Sequence, residues 1–232
     1  MYGLDKLFTN NEQWVSNCTA DNPEFFHDLA SQQTPEYLWI GCADSRVPAN
    51  QIVGLKPGEL FVHRNIANLV HNMDYNCMSV VQYAVEVLKV KHIIVTGHYG
   101  CGGVQAAMDD QEHGLVDNWL RSIKDVYTQH REEVERLRFR EQRINRLCEL
   151  NVIEQVKNLS KSKILLHAWQ RQQDVSIHGM IYSICDGRLK NLNVSVNSAE
   201  HIDRLYNLKA TTRENRPEVQ AVQSCAVGDE TI

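Results

Sequence analysis

His92-Ile93-Ile94-Val95-Thr96-Gly97-His98-Tyr99-Gly100-Cys101-Gly102-Gly103 is the stretch that decides the fold. Its first six residues are rich in β-branched side chains, and the run is too short for a helix, which marks a buried strand. The glycines that follow break it in a turn, and Val104 to Met108 continues as a helix. A buried strand turning at once into a helix is the unit from which α/β domains with parallel sheets are built.

The same grammar recurs on either side. Tyr37-Leu38-Trp39-Ile40-Gly41 is a short apolar run ending at Cys42, and Leu60-Phe61-Val62-His63 follows the Pro57-Gly58 turn as a second strand. Ser79 to Leu88 carries Val80, Val81, Ala84, Val85 and Leu88 at helical spacing. Val175 to Ile184 predicts a fourth strand, and Leu192 to Val196 a fifth at an edge. Trp119, Leu120, Ile123, Val126 and Tyr127 form the apolar stripe of a further helix. Asn151, with Glu154 three residues on, reads as a capping box opening the helix of Val152, Val156 and Leu159. Trp119 and Trp169 fall on apolar stripes and read as core.

The fold expected is therefore α/β, with a mostly parallel sheet flanked by helices and one domain over residues 1–210. Residues 1–34 form an arm of short helices, with Asn22 as a cap before Pro23. Leu4, Leu7, Phe8 and Trp14 are more apolar surface than such an arm can cover on its own domain, so it is expected to pack on a partner subunit. Residues 211–232 are polar and aperiodic and are expected to fray.

Composition narrows the function. A net charge of −5 gives no electrostatic support to a nucleic-acid partner. The dense run from Gln129 to Arg146 mixes both signs, as a solvated helix face does. No secretory leader or membrane-length apolar stretch appears, so a cytoplasmic address is expected. Seven cysteines, odd in number and irregularly spaced, argue for reduced thiols. Cys18, Cys77, Cys148, Cys185 and Cys225 have no partner motif and read as small incidental residues.

Cys42 and Cys101 are different, because each sits at the carboxyl end of a predicted parallel strand, where open α/β sheets place their ligands. Cys42-Ala43-Asp44-Ser45-Arg46 ends one strand and His98-Tyr99-Gly100-Cys101 ends another. Two thiolates and an imidazole suit Zn²⁺, and three protein donors leave the fourth tetrahedral position open, as in catalytic sites. Gly102 and Gly103 leave backbone N–H groups at a helix N-terminus, facing any anion. Asp44, paired in bidentate fashion with Arg46, would stay ionised and accept a hydrogen bond from water on the metal. Two thiolates cancel the cation's charge, so such water gives up its proton less readily than at an all-histidine site, and an aligned acceptor compensates.

These blocks resemble a known family. Cys42-Ala43-Asp44-Ser45-Arg46-Val47-Pro48, Phe61-Val62-His63-Arg64-Asn65-Ile66-Ala67-Asn68 and Gly97-His98-Tyr99-Gly100-Cys101-Gly102-Gly103 look like the three signature blocks of β-class carbonic anhydrases. The likeness runs from about Leu4 to Leu208 and is expected to be closest to bacterial members. It implies a zinc lyase with one Zn²⁺ per chain, built as a homodimer or homotetramer, that interconverts carbon dioxide and bicarbonate. It implies zinc-bound hydroxide as nucleophile, oriented by the Asp44–Arg46 dyad, with Gln33, Phe61, Tyr83 and Gly102 at the substrate. No histidine is assigned as proton shuttle; His63 is the candidate, and His178 reads as structural.

The resemblance also implies a regulated form. In it Asp44 leaves Arg46 and becomes a fourth metal ligand at lower pH, and bicarbonate at a second site formed by Trp39, Arg64 and Tyr182 stabilises that closed state. Two other functions remain open on the same residues. One is hydrolysis of carbon disulfide or carbonyl sulfide at an identical metal site. The other is a zinc-structured or redox-sensing binding protein, which requires a closed fourth ligand.

Overall fold

The computed structural model describes residues 3–31 and 33–202. In chain order these form α1 (Asp5–Asp21), α2 (Phe25–Ser31), β1 (Tyr37–Cys42), α3 (Ala49–Val53), β2 (Leu60–Asn65) and α4 (Tyr75–Gln82), which runs on as a π turn over Tyr83–Val87. Then come β3 (His92–His98), α5 (Gly102–Met108), α6 (Val116–Gln129), α7 (Arg131–Glu135), α8 (Arg140–Ser160), α9 (Lys163–Gln170), β4 (Ser176–Tyr182) and β5 (Leu189–Val196).

The strands lie in the order β2-β1-β3-β4-β5. β2, β1, β3 and β4 are mutually parallel, and β5 returns antiparallel along the edge. From β1 the chain moves first to one side, into β2, and then to the other, into β3. The order therefore reverses between β1 and β3, which is the crevice where doubly wound sheets bind ligands.

Two apolar layers hold the sheet. On one face Leu38, Ile40, Ile93, Val95 and Ile177 pack against Val81 and Val85 of the α4 segment and Val152 and Val156 of α8. On the other, Trp39, Leu60 and Ile94 pack with Val47 and Ala49. Each fully buried aliphatic side chain contributes about 1.5–3 kcal/mol. α8 comes down onto glycines: a Cβ on Gly97 would lie 2.6 Å from Val152 Cγ2, and one on Gly179 3.2 Å from Val152 Cγ1. A side chain at Gly97 would force Val152 to shift, and one at Gly179 would crowd it.

Several expectations need correction. Asn151 opens no helix; it lies fully buried in the middle of α8, which begins eleven residues earlier at Arg140. Its polar side chain belongs to a buried row instead. Asn151 Nδ2 donates to Ala67 O at 3.0 Å, Gln155 Oε1 accepts from Val70 N at 2.9 Å, and Asn158 Nδ2 donates to Val70 O at 3.3 Å. The row supplies partners to a loop in which Ala67 (φ 61°) and Asn68 (φ 49°) are left-handed, adding to the bonds that Asn65 makes to both backbone groups of Leu69.

The arm is also longer than expected, since α1 spans 17 residues. Asn22 ends α1 as its C-cap and turns the chain, its Oδ1 accepting from Glu24 N at 3.1 Å, and Pro23 falls in the turn before α2 rather than at its first position. α1 and α2 bury no residue, and Trp14 meets Phe25 and Phe26 edge to face. Leu4, Leu7 and Phe8 stay more than half exposed. Cys18, Cys42, Cys77, Cys101 and Cys148 are free, whereas Cys185, in the turn after β4, is disulfide-bonded rather than incidental. Cys225 and the tail 211–232 lie outside the described residues.

Candidate metal centre

Cys42 is the last residue of β1 and His98 the last of β3, so the sheet delivers both donors to the switch point. Cys101 follows as the N-cap of α5. The reversal between His98 and Cys101 needs Gly100 in the left-handed region, at φ 65°. Gly103 permits a close approach: a Cβ there would meet Ile66 Cγ2 at 3.0 Å and Ala67 Cβ at 3.2 Å. The left-handed loop after β2 thus presses against the turn that carries Cys101.

The three donor atoms lie within 4.8 Å of one another and all three residues are buried. Cys42 Sγ and Cys101 Sγ are 4.0 Å apart. His98 Nδ1 faces Tyr99 O at 3.0 Å; as a donor there it leaves Nε2 with its lone pair. That Nε2 is buried without a hydrogen-bond partner, which an imidazole tolerates when the atom serves as a ligand. The shared contact and the nearby imidazole pull the Cys42 thiol down to about 4, while the same contact and burial push Cys101 up. The first proton therefore leaves Cys42, and a cation between the sulfurs would take the place of the second. The donor set fits zinc.

Asp44 is not one of the three converging donors. Arg46 Nε donates to its Oδ1 at 3.0 Å, Arg46 Nη2 to its Oδ2 at 2.7 Å, and the Arg46 backbone N–H to Oδ1 at 2.9 Å. These bonds hold the carboxyl down at about 2. Oδ2 nevertheless lies 3.7 Å from His98 Nε2, so an ionised acceptor stands beside the open side of the donor set. A closed fourth ligand, which a purely structural zinc would require, is absent from the described arrangement.

The other predicted residues divide. Phe61 and Tyr83 come together with ring centroids 5.8 Å apart, but Phe61 pairs with Leu38 and Cys42 with Asn65, four residues further along. At about 3.3 Å per residue they stand roughly 13 Å from Cys42 along the strand. Gln33 lies exposed between α2 and β1, and Gly102 opens α5. Trp39, Arg64 and Tyr182 share one face of the sheet by register. Arg64 Nε donates to Cys42 O at 2.8 Å, and its Nη2 reaches Asp44 O.

His63 is not a surface shuttle: it is 6% exposed, its Nε2 lies 3.2 Å from Asn65 Nδ2, and burial lowers its basicity. His178 is structural as read, between His92 Nδ1 at 3.2 Å and Ser195 Oγ at 2.9 Å. Sequence reasoning missed Thr96, whose hydroxyl is buried without a partner on the Trp39 face, next to Gly41. It also missed the Asn151 row; Asn151, Gln155 and Asn158 at helical spacing beside Val152, Val156 and Leu159 were the available signal.

Comparison with known proteins places this geometry. The family model for carbonic anhydrase matches residues 37–189. A carbonic anhydrase of Emericella nidulans is 48% identical over 205 residues, covering 88% of this chain and 90% of the relative. A solved structure of a tetrameric β-carbonic anhydrase from Sordaria macrospora aligns with a TM-score of 0.81 at 39% identity, covering 84% of this chain and all of that one. The Coccomyxa β-carbonic anhydrase, solved with acetazolamide, aligns at 0.83 and 35% identity over 93% of this chain and all of that one. The relatives include fungal and plant carbonic anhydrases. A buried Cys42–His98–Cys101 set at the switch point, with likeness in sequence and structure over most of the chain, leads to one conclusion: the chain belongs to the β-class carbonic anhydrases.

Proposed function

We propose that Cys42, His98 and Cys101 hold one zinc ion, with which the protein hydrates carbon dioxide reversibly to bicarbonate and a proton. The observation that carries this reading is the partnerless, buried His98 Nε2, flanked by two thiols and by the Asp44 carboxylate at 3.7 Å. Bound zinc supplies a nucleophile from water near neutral pH. Asp44, kept ionised by Arg46, accepts the nucleophile's hydrogen bond and fixes its orientation. The backbone at Gly102 faces the anionic product. Phe61, Tyr83 and Gln33 serve the apolar carbon dioxide pocket across a subunit interface, since within one chain the aromatic pair stands too far from Cys42.

The assembly that fits is a homo-oligomer, a dimer or a tetramer of dimers. Its supports are the unpaired edge of β2, the exposed Val62, Ile66, Tyr83 and Val87 beside it, and the unburied arm. No helix among the described residues is long and apolar enough to cross a membrane. A cytoplasmic address is our reading of the free thiols at Cys42 and Cys101.

The regulated form belongs to the same proposal. Trp39, Arg64 and Tyr182 bind bicarbonate, and Asp44 then exchanges Arg46 for the metal. Two features support it. Arg64 already holds the carbonyls of Cys42 and Asp44, so an anion that draws Arg64 away loosens the loop carrying Asp44. The partnerless Thr96 hydroxyl offers the same pocket a further polar contact. Hydration rates from about pH 6.5 to about 9, with and without bicarbonate, test this. Cooperative loss at low pH, enhanced by bicarbonate and relieved in Tyr182→Phe, is expected. A single-proton profile indifferent to bicarbonate contradicts it.

A further inference from the structure

A second cluster of metal donors lies on β2 and α4, apart from the Cys42 set. His63, Asp74 and Cys77 bring their ligand atoms within 4.8 Å of one another. His63 is the fourth residue of the edge strand, 6% exposed. Cys77 is fully buried in the first turn of α4, among Leu38, Ile40 and Val81. Asp74 is the N-cap of that helix, its Oδ1 accepting from Asn76 N at 3.0 Å. A strand histidine and two residues three apart at a helix start converge from two elements.

Asp74 spends Oδ1 on the cap and keeps Oδ2. His63 Nε2 accepts from Asn65 Nδ2, which leaves the ring hydrogen on Nδ1, so a cation would take the Nε2 lone pair in place of that amide. Cys77 is a free thiol, whose sulfur ligates as the thiolate. Nitrogen, oxygen and sulfur from three side chains are the donor types of a borderline divalent transition cation such as zinc, and a poor match for magnesium or calcium. Access exists as well. A cavity of about 310 Å³ lined by His71, Met73, Asp74, Asn118 and Trp119 brings solvent to Asp74, the least buried of the three.

We propose that His63, Asp74 and Cys77 form a second, weaker site for a zinc-class cation. Its occupant clasps the start of α4 to the edge strand β2. Those two elements also carry the Phe61–Tyr83 pair, Phe61 on the strand and Tyr83 just beyond the helix. The site is independent of the reading of the Cys42 centre.

The test uses the full chain already loaded with one zinc, equilibrated with excess Zn²⁺ or Co²⁺ and assayed for bound metal per chain. Wild type should take up a second equivalent. Added Co²⁺ should give the charge-transfer absorption of a thiolate ligand while zinc holds the first site. Cys77→Ser should abolish that absorption and weaken the second equivalent by about 10-fold or more. Asp74→Asn, which keeps the helix cap, should weaken it too, so the proposal stays testable if the cysteine variant does not fold. Cys101→Ser should keep this equivalent while losing the first. Saturation of wild type at one metal, or a second equivalent indifferent to Cys77→Ser and Asp74→Asn, overturns the proposal.

Discussion

Arg46 grips the Asp44 carboxylate with two parallel hydrogen bonds, Nε to Oδ1 at 3.0 Å and Nη2 to Oδ2 at 2.7 Å, and so fixes which way that carboxylate faces. Lysine offers one point charge where the fork offers two bonds. Arg46→Lys should therefore lower kcat/KM by about 10–100-fold, the usual cost of losing an outer partner at a metal site. Zinc content should stay unchanged, because Arg46 touches none of the three donors. Loss of zinc along with activity would place Arg46 in the metal's own shell instead.

The same pair determines how Asp44 responds to acid. Its carboxyl is held at about 2, below the ordinary 3.8, chiefly by the Arg46 hydrogen bonds. A lowered folded-state value means that its contribution to stability is complete above about pH 4 and is lost as pH falls toward 2. Asp44→Asn should be less stable than wild type near neutrality, with the gap closing below about pH 3. Denaturant titrations across that range measure the gap. Activity lost between about pH 6.5 and 8 therefore does not come from protonation of Asp44 within the pair.

Gly97 admits Val152 to within 2.6 Å of where a Cβ would sit. Gly97→Ala should cost about 1–3 kcal/mol by overpacking, read as a lower midpoint in denaturant. It should also lower zinc affinity, since Gly97 precedes His98. A midpoint equal to wild type would mean that α8 moves freely over β3.

How much of this was readable beforehand varies with the physics. The five strands and the three metal donors were legible because short buried runs ending in Cys42 and His98 are local patterns. The left-handed loop at Ala67 and Asn68 was not, because part of what holds it comes from Asn151, more than eighty residues away. Asn151 was misread for the same reason: Asn followed by Glu154 looks like a cap until the buried partner is known. The distance of Phe61 from Cys42 was likewise invisible, being a matter of register. Thr96 read only as a β-branched strand residue.

Trp39 lies back over Gly41, with Nε1 at 2.2 Å from the place a Cβ would occupy. Trp39 is fully buried, so Gly41→Ala must displace the indole. The variant should lose the bicarbonate response, because Trp39 can no longer hold its place on that face. The free energy of unfolding in denaturant titrations should fall by about 1–3 kcal/mol. Retention of full bicarbonate sensitivity would remove Trp39 from the regulatory site.

The most direct test of the account is zinc content and carbon dioxide hydration measured together on wild type and Cys101→Ser, after dialysis against a weak chelator. One tightly held zinc per chain in wild type, with zinc and hydration both lost in the variant, is the predicted result. Hydration that survives in the variant without zinc would contradict the assignment of Cys42, His98 and Cys101 as the catalytic centre.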